Sequence, residues 1–254
     1  MNDAPPAGDA GLLEVRISRK AFSTAAGVLD VLADIAYTLA RGEVGAFVGP
    51  SGCGKTTMLR IVAGLDRDFE GSIVGVANAK LGVVFHEPRL LPWRTVDENV
   101  RLVAPGASGD MLAALFDLFE LSSHRSHYPG QLSMGLARRV ALARAFAVEP
   151  ELLILDEPFV SLDEALARRL RSELVVRLER LPVTTLLVTH DVEEAIRLAD
   201  RIFLLSNRPA RIIAHVSIAT PRAGRSEAVI QAIKADIGLQ AADSQTAATA
   251  TKGT

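Results

Sequence analysis

At 254 residues, 49% of them hydrophobic, the chain can bury one substantial core, and its length suits a single α/β domain or a core with a modest insertion. A formal charge of −2 lacks the basic excess needed to neutralise many phosphates, which sets nucleic acid aside as a main partner. Cys53 is the only cysteine, which excludes an internal disulfide, and no run approaches the ~20 consecutive apolar residues of a bilayer-spanning helix, so any membrane role is expected to be peripheral. Residues 1–11 are rich in Pro, Gly and Ala, lack the basic start and apolar segment of a secretory signal, and are expected to be disordered in a protein kept in the cytosol. Further on, apolar runs of strand length alternate with helical ones. Val44 to Val48 precede a helix from about Lys55, Leu152 to Leu155 one from about Glu164, and Thr184 to Val188 one near Val192. This alternation predicts an α/β fold with a mostly parallel sheet covered by helices. The stretch from about 90 to 148 interrupts it with helical pattern at Met111 to Leu121 and after Ser133, and reads as a helical insertion. Leu166, Leu170, Leu174, Leu178 and Leu181, at spacings of four and three, predict the buried face of one helix. Residues 239–254 are small and polar without apolar period and read as a frayed end.

Gly49-Pro50-Ser51-Gly52-Cys53-Gly54-Lys55-Thr56 fits the pattern GxxxxGK[ST] and lies between an apolar strand and an amphipathic helix, the context that gives the pattern its meaning. Such a loop turns consecutive N–H groups toward a β-phosphate at the positive end of the following helix. Lys55 would reach the β- and γ-phosphate oxygens of a nucleotide, the Thr56 hydroxyl would ligate Mg²⁺, and Thr57 would touch the α-phosphate; the loop alone does not choose among kinases, GTPases and transport ATPases. The plainer alternative is a Gly-rich turn closing a strand–helix junction, which leaves the full eight-position match unexplained.

Asp156 and Glu157 end the apolar run Leu152 to Leu155, and the carboxyl ends of strands line the ligand crevice of doubly wound sheets. Asp156 is placed to hold Mg²⁺, directly or through water, and Glu157 to act as general base on the attacking water. A capping role at Pro158 would account for one acid but not two. His190 follows the run Thr184 to Thr189 and arrives at the same edge, able to bond a γ-phosphate oxygen or the water. A lone histidine is usually a packed or surface residue, and its place directly after a strand and before Asp191 favours function.

With LSMG at 132–135, LLILDEP at 152–158, SLD at 161–163 and the Thr189-His190 pair added to the loop, the sequence resembles the ATP-binding cassette family over about residues 12–215. From EPRLLPW at 87–93 and YPGQLS at 128–133 it is similar in particular to the ATPases of nitrate, sulfonate and taurine importers. The resemblance implies a P-loop ATPase core with antiparallel N-terminal strands and a helical subdomain at about 90–148, followed by a C-terminal extension at 216–254. It also implies a head-to-tail pair of cassettes, most simply a homodimer, with each ATP between one phosphate loop and the other subunit's Ser133 and Gly135. Ser133 alone would be an N-cap, whose hydroxyl and helix N–H groups make an anion site. By the same resemblance Phe22 stacks on adenine, Asp163 relays between the sites, and Glu87 to Trp93 meet a membrane-embedded permease at the cytoplasmic face, with a solute-binding protein on the far side. Phe22, Leu90, Leu91 and Trp93 are equally suited to ordinary packing.

Two positions depart from the family. His86 stands where Gln usually helps ligate Mg²⁺, and an ion that strongly prefers oxygen favours a water-mediated contact there, or a softer metal. Met134 stands where the signature carries its first glycine, so its side chain must point away or loosen the composite site. The reading is therefore an ATP-hydrolysing subunit that drives import of a small solute. Two alternatives stand beside it: an ABC ATPase acting as a switch on a non-transport partner, and a weakly hydrolysing regulatory cassette paired with a different one.

Overall fold

The computed structural model describes residues 13–75, 79–160, 162–180 and 183–250, with side chains to residue 238. The expectation for residues 1–11, and the positions of Ser161 and Leu181, fall outside the described residues.

Two long strands open the chain, β1 (Leu13–Thr24) and β2 (Gly27–Leu39). Leu13, Val15 and Ile17 alternate with more exposed positions along β1, the period-2 mark of a sheet with one buried face. Next come β3 (Val44–Val48), α1 (Lys55–Val62), β4 (Glu70–Val74) and β5 (Leu81–Val84). The helical stretch follows, with α2 (Val96–Arg101), α3 (Gly109–Leu118) and α4 (Met134–Ala147). The chain closes with β6 (Leu152–Asp156), α5 (Glu164–Arg180), β7 (Thr184–Thr189), α6 (Val192–Leu198), β8 (Arg201–Leu205), β9 (Ile212–Ser217) and α7 (Glu227–Ala250).

The strands form two sheets. A three-stranded antiparallel sheet runs β2-β1-β4. A six-stranded sheet runs β5-β6-β7-β3-β8-β9, parallel apart from β9, which pairs antiparallel with β8. This is the mostly parallel α/β fold the alternation predicts. β3, β6 and β7 are buried at every position because both their faces are covered, with threonines at the ends of β7. Val44, Ala46, Val48, Leu153, Leu155 and Leu187 pack toward the helices that include α4 and α5. Phe47, Leu152, Ile154, Leu186 and Val188 pack toward α1 and the antiparallel sheet. On the second side Phe47 stacks on Phe203 with ring centroids 4.6 Å apart, and Tyr37 from β2 closes on Phe47 at 4.7 Å. Of the leucine face in α5, Leu170, Leu174 and Leu178 are buried and Leu166 packs at the core margin.

One expectation needs correction. Residues 239–250, read from composition as frayed, continue α7 to Ala250. Alanine carries the highest helix propensity, so a segment without a hydrophobic stripe extends a helix that its first turns have already nucleated. Those first turns are anchored by Ile230 and Ile237, both buried in the core.

Candidate functional site

The site lies at the carboxyl ends of three neighbouring strands, β6, β7 and β3 in that order across the sheet. The strand bearing His190 therefore lies between the strand bearing the loop and the strand bearing the two acids, an arrangement that sequence order alone does not reveal.

After β3 the chain turns through residues 49–54 into α1. Gly54 is at φ 130°, and a Cβ there would lie 2.8 Å from Leu32 Cδ2 and 3.1 Å from the Val31 carbonyl, so both backbone conformation and space demand glycine. Ser51, Gly52 and Pro50 are exposed, whereas Cys53 is buried at 2% exposure and serves as loop packing rather than as a reactive thiol. Lys55 is also buried, and its Nζ donates to the carbonyls of Gly49 at 2.7 Å and Pro50 at 2.8 Å. Among the described residues the ammonium has no carboxylate partner, and it is held across the loop's mouth by neutral oxygens. A phosphate can displace such partners with a large electrostatic gain. Thr57 is half-buried in the first turn of α1.

Thr56 Oγ1 donates to Asp156 Oδ2 at 2.9 Å, across 100 residues of chain. The two proposed Mg²⁺ ligands are thus already together, and both offer the hard oxygen donors that this ion requires. Burial pushes the Asp156 carboxyl above the usual carboxylate range against the hydrogen bond from Thr56, a desolvated acid that a bound cation would return to its charged form. Among the described residues no group of three or more His, Cys, Asp or Glu side chains is arranged to hold a metal.

Glu157 sits at φ 49°, a left-handed conformation rarely adopted by a residue with a side chain, and its amide N–H donates to Val188 O at 2.8 Å. This backbone turn carries its carboxylate between two imidazoles. His190 Nδ1 lies 3.2 Å from Oε1 and His86 Nδ1 3.7 Å from Oε2, with Glu157 at 17% exposure and both rings more than half exposed. His190 is oriented locally. The Asp191 N–H donates to Thr189 Oγ1 at 3.0 Å, and Asp191 Oδ1 caps α6 by accepting from Glu193 N–H at 2.8 Å and Glu194 N–H at 3.3 Å.

The remaining sequence-derived residues stand apart from this cluster. Phe22 is 41% exposed on β1, beneath the Lys20 ammonium 4.5 Å from its ring centroid. Ser133 caps α4, accepting from Leu136 N–H at 3.2 Å, with Met134 exposed and Gly135 in the first turn. Asp163 Oδ1 accepts from Leu166 N–H at 2.9 Å at the start of α5. Among the described residues no hydrogen bond joins Ser133, Gly135 or Asp163 to the phosphate loop.

Sequence reasoning missed the residues that hold residues 85–95 in place. Arg138, 1% exposed within α4, donates to Phe85 O at 2.5 Å and to His86 O. Arg144 donates to Pro88 O and Arg89 O, each at 2.9 Å. Buried Asn99 accepts from Leu91 N–H at 2.8 Å and donates to the carbonyls of Arg94 and Thr95 at 3.0 and 2.9 Å. Leu90 packs on the core, while Trp93 is 70% exposed. The available signal was that Arg138 and Arg144, six residues apart, are two of three arginines in a helix otherwise built of apolar residues and glycine.

A glycine-rich loop between strand and helix, closed by a buried lysine and facing two strand-end carboxylates and a histidine, defines a P-loop nucleotide triphosphatase. The sequence profile of the ABC transporter family matches residues 32–160, and the chain belongs to that family as an ATP-binding and ATP-hydrolysing cassette. It is 44% identical to the aliphatic sulfonates import ATP-binding protein SsuB 2 of Burkholderia lata, over 83% of this chain and 80% of that one. It is 42% identical to SsuB 1 of Pseudomonas aeruginosa, over 85% and 91% respectively. Among solved structures, the dimeric ATP-binding cassette MJ0796 bound to ADP and Pi superposes with a TM-score of 0.74 at 27% identity, covering 82% of this chain and 99% of that one. Among the described residues no helix is long and apolar enough to cross a membrane.

Proposed function

We propose that this chain powers the import of a small sulfonate-like organic anion from the cytoplasmic face of the cell membrane, as one of two identical cassettes attached to a membrane-spanning permease. The observation that carries the chemical part is the convergence of Thr56 on Asp156 and of His190 on Glu157 at the mouth of one loop. Mg²⁺ bound with ATP would supply charge neutralisation at the β- and γ-phosphates. The chain's own residues do the rest. The loop amides of residues 49–54 and Lys55 orient the phosphates, and Thr56 and Asp156 supply oxygen ligands. Glu157 accepts a proton from the attacking water, and His190 holds that carboxylate while facing the γ-phosphate position. Phe22 offers an exposed ring for the adenine.

Ser133, Gly135 and Asp163 stand apart from the phosphate loop of their own chain, which suits service to a second cassette's nucleotide. At the start of α4 the Ser133 hydroxyl accepts from Leu136 N–H, and the helix N-terminus favours an anion beside it. The segment Glu87 to Trp93, held from behind by Arg144 and Asn99 with Trp93 outward, has the form of a rigid contact for the permease. The sulfonate-like solute follows from the relatives' names, and a solute-binding protein outside the membrane from the importer reading.

The test is steady-state Mg-ATPase activity of the purified chain and of Lys55→Ala, followed by sulfonate uptake after reconstitution with the neighbouring permease. Loss of turnover in the variant with sulfonate-dependent uptake by the native complex supports the proposal. Turnover without any coupling to a permease would favour a cassette that acts on a non-transport partner.

A further inference from the structure

The turn joining β8 to β9 reaches the phosphate loop. Its ends are closed on each other, with Ser206 N–H donating to Arg211 O and Arg211 N–H to Ser206 Oγ, each at 3.0 Å. It is also stitched to β2. Ala210 N–H donates to Val31 O at 2.9 Å, Ala33 N–H donates to Ala210 O at 3.0 Å, and Arg211 is ion-paired with Asp34. Val31 and Leu32, the β2 residues on this seam, are the ones packed against Gly54. From this braced turn Arg208 extends its guanidinium, and Nη2 donates to the carbonyl of Gly52.

Gly52 is at φ 75°, at the exposed apex of the loop. A loop that turns its N–H groups inward to phosphate must turn carbonyls outward, and each outward carbonyl lowers the free energy of that shape only if a donor meets it. Lys55 meets the carbonyls of Gly49 and Pro50. Among the described residues Arg208 supplies the one side-chain hydrogen bond that reaches residues 49–54 from outside the loop and its helix. Arg208 is itself exposed, so its removal opens no core.

We propose that Arg208 is a positioning residue for nucleotide binding, holding Gly52 so that the loop's amides are pre-aimed at the phosphates. The inference rests on reading residues 49–56 as the phosphate loop. It predicts that Arg208 sets affinity and not the rate of the chemical step, because the loop's shape is shared by the ground and transition states.

The experiment measures the Kd for Mg-ADP together with KM and kcat for ATP in the native chain, Arg208→Ala, Arg208→Lys and Lys55→Ala. The expected result for Arg208→Ala is a Kd and KM raised about five- to tenfold, a kcat within about twofold of native, and a nucleotide-free melting temperature close to native. Arg208→Lys, which keeps one charged donor, recovers most of the affinity. A native Kd in Arg208→Ala beside lost binding in Lys55→Ala overturns the proposal and leaves the phosphate loop standing. Native binding in Lys55→Ala removes the phosphate-loop reading and the proposal with it. Equal lowering of the nucleotide-free melting temperature in both Arg208 variants would make the residue a structural brace and also overturn the proposal.

Discussion

His190, just past the end of β7, places its Nδ1 3.2 Å from Oε1 of Glu157, the residue that follows β6, so two adjacent parallel strands bring the proposed general base and the histidine to one edge of the sheet. The left-handed backbone of Glu157 sets the direction of its side chain, with the imidazole beside it. Glu157→Gln keeps the shape and removes the proton acceptor. Mg-ATP turnover is expected to fall about 10²- to 10⁴-fold. ATP affinity is expected to be retained, and the variant is expected to run as a dimer on gel filtration in ATP. Turnover within tenfold of native would remove Glu157 from the base role.

His86 approaches the other oxygen of Glu157 only to 3.7 Å and is more than half exposed, too far for a hydrogen bond. His86→Gln is therefore expected to leave Mg-ATPase activity unchanged or raise it, since an amide oxygen suits Mg²⁺ better than a ring nitrogen. A large loss in steady-state turnover would show that the imidazole has a role of its own.

Met134 begins α4 with its side chain 59% exposed, beside the Ser133 cap. In the composite-site reading this side chain stands where a second cassette's γ-phosphate must approach. Met134→Gly is expected to raise turnover several-fold at saturating ATP and to cost about 0.5–1 kcal/mol of stability as a glycine in a helix. Assay and melting curve together check it; unchanged turnover would mean that the methionine already points clear.

Glu194 is 6% exposed on α6, beside Thr189, whose hydroxyl donates to it. Burial pushes its carboxyl up to about 7 from 4.5, in spite of that hydrogen bond. The folded state therefore binds more protons than the unfolded state between about pH 4.5 and 7, so this residue's contribution to stability is fully present below the lower value and is lost as pH rises to the upper one. The loss is at most about 3 kcal/mol. Glu194→Gln, which stays neutral, is expected to melt above native at pH 8 and to converge with it near pH 4.5. Parallel pH–stability profiles for the two proteins would refute the assignment.

Arg138 is buried with its charge desolvated, in the field of the Asp156 and Glu157 carboxylates, and it satisfies the carbonyls of Phe85 and His86. Arg138→Met removes both donors. It is expected to destabilise the fold by about 2–4 kcal/mol in urea titration, because two buried carbonyls lose their partners. A change below about 0.5 kcal/mol, the range of ordinary surface substitutions, would show that water replaces the guanidinium.

What the sequence determined by itself was local. The eight residues of the phosphate loop, the acids closing an apolar strand and the alternation of strand and helix all lie within a few turns of chain, where period and spacing record geometry directly. The extension of α7 through 239–250 was misread because helix propensity without a hydrophobic stripe looks like disorder on paper. Tertiary structure alone decided that β7 runs between β3 and β6, bringing His190 to Glu157. It alone decided that Arg138 and Arg144 face inward to carbonyls 52–56 residues away, and that Arg208 meets Gly52 across 156 residues. Strand order leaves no periodic trace in a sequence. A buried charge is tolerated only where distant oxygens converge on it, and that convergence exists only once the chain has folded.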